Sequence, residues 1–179
     1  MSLLIISYPD LAGDDFDWIQ SLRLAYCQSE FKIVDPHFTL VFAVSEYSQT
    51  ILDDHIRPII NDTAPINFVL RCATTVKTKA DDRWFLFLVP DEGFSQIVKL
   101  HDNLYTGIMG KHLRLDIPFT PHMTIGIFDD ARACKAAADR INSENFAIHG
   151  RISAFDLVTD DDDVIKTRAK FRLDRPATI

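Results

Sequence analysis

Basic residues are in short supply in this chain. Nineteen Lys and Arg stand against 26 Asp and Glu, a formal net charge of −7. A surface of that sign does not grip long nucleic acid, whose phosphates call for a basic face. It leaves room for a small phosphate-bearing ligand, or an RNA end, in a local positive pocket. Cysteine is scarce as well. Cys27, Cys72 and Cys134 are odd in number, far apart and lack zinc spacing. That excludes a disulfide framework, and each thiol is read as buried among apolar neighbours. No apolar run approaches the roughly 20 residues of a membrane span. The apolar start, Leu3 to Ile6, is too short for a signal peptide and has no basic lead. The expectation is a soluble, cytoplasmic protein with neither DNA nor membrane as partner. Glycine and proline, 6 and 8 residues, are ordinary in number, which excludes fibrous and disordered classes. What is plentiful is apolar: 47% of residues, with 13 Phe. That suits sheet faces packed under helices in one domain.

Periodicity divides the chain into two similar runs. Leu3 to Tyr8 predicts a strand. Asp14 to Gln28 predicts an amphipathic helix, with Phe16, Ile19, Leu22 and Ala25 on one face. His37 to Val44 predicts a strand. Thr50 to Ile60 predicts a helix capped by Ser48. Strands at Ile66 to Val76 and Arg83 to Val89 form a hairpin across Lys77 to Asp82. The pattern then restarts: a helix over Gly93 to Ile108, a loop over Gly110 to Pro121, a strand over His122 to Phe128. A helix over Asp129 to Ile141 follows, its two leading aspartates suited to a positive helix start. Phe146 to Val158 and Val164 to Leu173 complete it as strands around a solvated acidic turn, Asp160 to Asp163. Asp10 and Asp91, each after a proline and a strand, lie 81 positions apart, and His37 and His122 lie 85 apart. Marks repeating in order point to duplication. The expected class is α+β: a single domain over 1–179, built of repeats of roughly 2–77 and 83–173. These give two pseudo-twofold-related lobes of antiparallel sheet with outer helices and a central cleft.

Two stretches of the repeat share a spelling: Pro36-His37-Phe38-Thr39 and Pro121-His122-Met123-Thr124, each leading an apolar, β-prone run. On a strand, residues two apart face the same side. His37 and Thr39 then project together, as do His122 and Thr124. Phe38, Leu40 and Phe42, and Met123, Ile125 and Ile127, turn to the core. Two imidazoles and two hydroxyls on one cleft suit a phosphodiester. Histidine serves as base or acid near neutrality, and a threonine hydroxyl donates to a non-bridging phosphate oxygen. The scheme needs no metal and no cofactor. A lone His-x-Thr says little, but a proline-led pair at equivalent places in a repeat says much more.

With these motifs the chain resembles the 2H phosphoesterase superfamily, the group of 2′-5′ RNA ligase-like proteins and cyclic nucleotide phosphodiesterases. The resemblance covers both motifs, their separation and the two-lobed layout. It implies metal-independent hydrolysis of a 2′,3′-cyclic or related cyclic phosphate on a nucleotide or RNA end. It implies His37 and His122 as the acid–base pair and Thr39 and Thr124 as substrate-binding hydroxyls. The chain is expected to act as a monomer. Two alternatives are a nucleotide-binding module without turnover and a 2′-5′ RNA ligase. The chain also departs from RNA-processing members, which often carry basic residues around the second motif. Here Phe119, Thr120 and Ile127 stand there, and the nearest basic candidates for the groove are Lys111, His112 and Arg114. Asp35 and Asp116 lie upstream of the motif histidines, placed either to orient an imidazole or to shape a loop. Phe42, Phe119 and Phe128 either pack or stack on a base. His55, His101 and His149 are read as packing or surface residues.

Overall fold

The computed structural model of the protein describes residues 2–77, 82–161 and 164–173. In chain order the elements are β1 (Ser2–Ser7), β2 (Asp10–Leu11), α1 (Gly13–Tyr26), α2 (Gln28–Phe31), β3 (Phe38–Val44), α3 (Gln49–Asp62) and β4 (Ile66–Lys77). Then come β5 (Trp84–Glu92), α4 (Phe94–Leu104), β6 (Met123–Phe128), α5 (Ala131–Asn142), β7 (Ile148–Ile152), β8 (Ala154–Asp161) and β9 (Val164–Arg172). Local chemistry sets several boundaries. The Ser48 hydroxyl accepts from the Ile51 amide at 3.5 Å to start α3, and Asp130 accepts from the Ala133 amide at 2.8 Å to start α5. Asp14 and Asp15 occupy the first turn of α1, where the helix dipole favours them. The helix expected to run to Ile108 stops at Leu104. Gly107, at φ +54°, then opens a 3-10 turn over Gly107–His112, which spans the end of the expected helix and the start of the expected loop.

The strands form two antiparallel sheets, ordered β3-β1-β8-β9 and β2-β7-β4-β5-β6. Taken inward from the motif strand, the first sheet runs β3, β1, β8, β9 and the second β6, β5, β4, β7. The first four places match, and β2 adds a fifth strand beyond β7. Neither sheet is one continuous stretch of chain. β4 closes the first repeat but joins the second sheet, and β8 and β9 close the second repeat but join the first. The strand expected over Phe146 to Val158 is therefore two strands. It pairs with β4 as far as Ile152 and with β1 from Asp156, changing sheets across Ser153. Of the acidic turn, Asp160 and Asp161 end β8, while Asp162 and Asp163 lie outside the described residues.

One core lies under both sheets and their helices, holding Leu3, Leu40, Phe68, Leu86, Met123 and Phe155 together. Phe38 and Phe68, one from each sheet, meet edge to face at 5.0 Å. Each such ring removed from water contributes about 1.5–3 kcal/mol. Cys27 and Cys134 are buried as expected, but Cys72 is exposed. Arg71 is an extra residue in β4 opposite β5, and this bulge turns the next side chain outward.

Candidate active site

β3 and β6 are the edge strands of their sheets, each paired on one side only. Both strands begin one residue after the motif histidine, so His37 and His122 sit at the strand mouths. The alternation holds there. Phe38, Leu40, Met123 and Ile125 are buried, while His37, Thr39, His122 and Thr124 are half-buried. Neither motif hydroxyl makes a hydrogen bond to another described residue.

Each motif strand also carries a bulge at the same offset. Thr39 pairs with Ile6 and Val41 with Ile5, leaving Leu40 extra. Thr124 pairs with Phe87 and Gly126 with Leu86, leaving Ile125 extra. Leu40 and Ile125 both stand three residues after their histidine. A bulge sharpens strand twist and re-aims the side chains beside it. The Leu40 bulge turns Val41 inward and so reverses the expected facing of Phe42, which is 38% exposed rather than in the core. Ile127 is likewise only half-buried.

The imidazoles are held in the same way. Nδ1–H of His37 donates to the Asp35 carbonyl at 2.8 Å, and Nδ1–H of His122 donates to the Thr120 carbonyl at 2.6 Å. A carbonyl only accepts, so Nδ1 carries the proton and Nε2 keeps its lone pair when the ring is neutral. The surroundings differ. Phe87 stacks on His122 at 3.7 Å, whereas Tyr8 meets His37 edge-on at 6.2 Å. Burial holds the His37 pKa below its ordinary value; the Asp35 carbonyl and carboxylate oppose this, and the Arg23 guanidinium adds to it. Burial pushes His122 down to about 4, with the Thr120 carbonyl opposing and charge on His37 adding. The two rings thus lie within electrostatic reach of each other, and both rest neutral at pH 7.

The other candidates fall elsewhere. The Asp35 carboxylate accepts from Gln20 at 3.2 Å; its backbone, not its side chain, meets His37. Asp116 pairs with Arg114 at 2.7 Å, and Lys111 and His112 both engage Glu46. Arg114 borders a cavity of about 200 Å³, together with Phe42, Tyr105, Leu113, Ile117 and Phe119. Neither motif histidine lines it. Phe128 packs on Tyr26 at 5.5 Å. His55 bonds to the Leu104 carbonyl and His149 is exposed, as packing and surface residues do. His101 has a larger part than the sequence suggested. Its Nδ1–H donates to the carbonyl of the bulge residue Leu40 at 2.8 Å, and its ring stacks on Phe119 at 3.6 Å. Tyr105, one turn on, accepts the Phe42 amide at 3.1 Å. Nothing in the spacing of His101 announces this, because the partner is a backbone group freed by a bulge. Among the described residues no helix is long and apolar enough to cross a membrane, and no cluster of three metal-ligating side chains occurs.

Comparison with known proteins gives the chain a family and a fold. The chain matches the profile of the 2′-5′ RNA ligase superfamily over residues 9–164. No curated protein matches it. Among solved structures it is similar to TT0787 of Thermus thermophilus, at 17% identity and a TM-score of 0.58, covering 97% of this chain and 98% of that one. It is similar to E. coli LigT in complex with 3′-AMP, at 14% identity and 0.55, covering 97% and 98%. Kluyveromyces marxianus Usb1 follows at 8% and 0.54, covering 96% and 98%. Such identities speak for the fold alone.

Proposed function

The chain belongs to the 2′-5′ RNA ligase superfamily of 2H phosphoesterases, and from that premise we propose that it is a metal-independent phosphodiesterase acting on a 2′,3′-cyclic phosphate of a nucleotide or RNA end. The observation that carries the reading is the matched pair of imidazoles, each with Nδ1–H on the carbonyl two residues back and Nε2 available. Related structures carry 3′-AMP, NADP+ or ATP in LigT and uridine monophosphate in Usb1, which supports a nucleotide as the ligand.

In this scheme one Nε2 takes a proton from water as its oxygen bonds to phosphorus. The bond from phosphorus to one ribose oxygen breaks, and that oxygen receives the Nε2 proton of the other, protonated ring. The product is a phosphomonoester, and the two rings have exchanged protonation states; solvent resets them. Thr39 and Thr124 donate to the non-bridging oxygens, where charge builds. Both rings rest neutral, so the acid acquires its proton beside the substrate's negative charge, which raises its pKa. The cavity beside Phe42 and Phe119 is an apolar place for the nucleoside.

The test is turnover of 2′,3′-cyclic nucleotides of all four bases and of short RNAs ending in a cyclic phosphate. His37→Ala and His122→Ala are each expected to lower the rate about 10²–10⁴-fold. Equal rates in native and variant proteins sink the proposal. AMP binding by calorimetry that survives both substitutions, with no product formed, favours a binding module instead.

A further inference from the structure

Arg23 is 2% exposed, and among the described residues no other Arg or Lys is buried. Burying a cation costs several kcal/mol, and its Nε has no partner among the described residues. Stability alone does not account for it. What a guanidinium supplies is a rigid fork of donors. Nη2 donates to the carbonyls of Val34 at 2.5 Å and Glu30 at 3.1 Å, and Nη1 to Gln20 at 2.7 Å. Gln20 in turn donates to the Asp35 carboxylate at 3.2 Å, and the Asp35 carbonyl receives His37. Arg23 therefore grips the segment that orients the first imidazole. It does so from α1, which is seated on the other motif strand, β6. Gly126 there leaves room for α1: a Cβ on it would stand 3.0 Å from Tyr26 Cβ.

The second half of the molecule has the converse arrangement. α4 is seated on β3 through His101 and the capping Tyr105, which bond to the Leu40 carbonyl and Phe42 amide. His101 also stacks on Phe119, the residue before Thr120, whose carbonyl orients the second imidazole. Each helix thus rests on one motif strand and holds the approach to the histidine of the other.

We propose that Arg23 and His101 are crossed positioning residues, each fixing the orientation of one motif imidazole relative to the strand that carries the other. Their role in catalysis rests on the phosphodiesterase reading; their role in holding the rings does not. The charges around the first ring are Arg23, which opposes its protonation, and Asp35, which favours it. Cys27, Glu30, Asp35 and Tyr8 act on Arg23 itself, and His37 acts on His122.

Long-range proton–nitrogen NMR of the histidine rings tests this on the full chain. In the native protein both motif rings are expected as the Nδ1–H tautomer at pH 7.5. In Arg23→Gln, His37 is expected to become a tautomer mixture and its pKa to rise as the opposing guanidinium charge is removed, while His122 keeps its native signals. In His101→Ala the converse is expected, with His122 disturbed through Phe119. Native tautomers in both variants, or both rings loosened equally by either change, overturn the proposal. Should Arg23→Gln fail to fold, Arg23→Lys keeps the charge and loses the fork. It is expected to leave the His37 pKa near native with a mixed tautomer, and a native tautomer there overturns the proposal. With cyclic nucleotides, Arg23→Lys is expected to lower kcat about tenfold at constant KM. A native protein without turnover would end the functional reading and leave the tautomer result standing.

Discussion

At the scale of the residue, His37 and His122 combine two opposed influences. A carbonyl on Nδ1 favours a proton on the ring, and burial disfavours it more strongly. The acid form of a ring with a lowered pKa is depleted as pH rises past that pKa. The kcat/KM profile with a cyclic nucleotide is therefore expected to peak on the acid side of about 6.5; a maximum at pH 8 contradicts it. Linkage gives a second outcome. A histidine whose pKa is lower in the folded state stabilises the fold above its unfolded pKa, and that contribution is lost as pH falls toward the folded value. For His122 the window runs from about 6.5 down to about 4. Urea unfolding is expected to show up to about 3 kcal/mol of loss from this ring, and His122→Gln to flatten the profile. Phe42 is turned outward at the edge of the cavity proposed to take the nucleoside. Phe42→Ala is expected to raise KM several-fold, by loss of about 1 kcal/mol or more of stacking, with kcat little changed.

At the scale of the element, the motif strands are shaped by bulges and by what packs on them. A Cβ on Gly126 would meet Phe128 Cε2 at 2.8 Å, Tyr26 Cβ at 3.0 Å and Leu86 Cβ at 3.2 Å. Gly126→Ala is expected to cost about 1–3 kcal/mol in chemical unfolding. At Gly13 a Cβ meets nothing within 4 Å, so Gly13→Ala is expected to be neutral or slightly stabilising. The strands, helices and caps were legible because period 2 and period 3.6 depend on near neighbours. Phe38, Leu40, Met123 and Ile125 fell on the core face for that reason, and Ser48 and Asp130 were readable as helix starts. Phe42 and Cys72 were misplaced because a bulge is a mismatch between two strands, and one strand's spelling does not contain it. Arg23 was not singled out, and His101 was read only as a packing or surface residue, for a related reason: both serve backbone carbonyls, which leave no residue-specific mark.

At the scale of the molecule, the exchange of β4 for β8 and β9 makes each sheet depend on both halves of the chain. The sequence repeat is visible in the paired motifs, but spelling does not say which sheet a strand will join. A fragment of residues 2–77 would have β1 and β3 without β8, and β4 without β5. Expressed separately, fragments 2–77 and 83–173 are each expected to lack a cooperative unfolding transition, and to regain one when mixed. Independent folding of either fragment by circular dichroism and melting contradicts this.

The same exchange bears on how the protein comes into being on the ribosome. Ser2 finds its partner in Asp160, and Leu3 finds its own in Thr159. At about 5–20 residues per second, β1 waits roughly ten to thirty seconds for β8, its neighbour on the inner side. Once β3 is made, Leu3, Ile5 and Ile6 have it on one side and nothing on the other until β8 follows, a state open to intermolecular pairing. Closure of so long a loop is slow relative to local helix formation. The nascent chain therefore carries its first imidazole on a half-built sheet until β8 is made, and the two halves of the chemistry come into register only then.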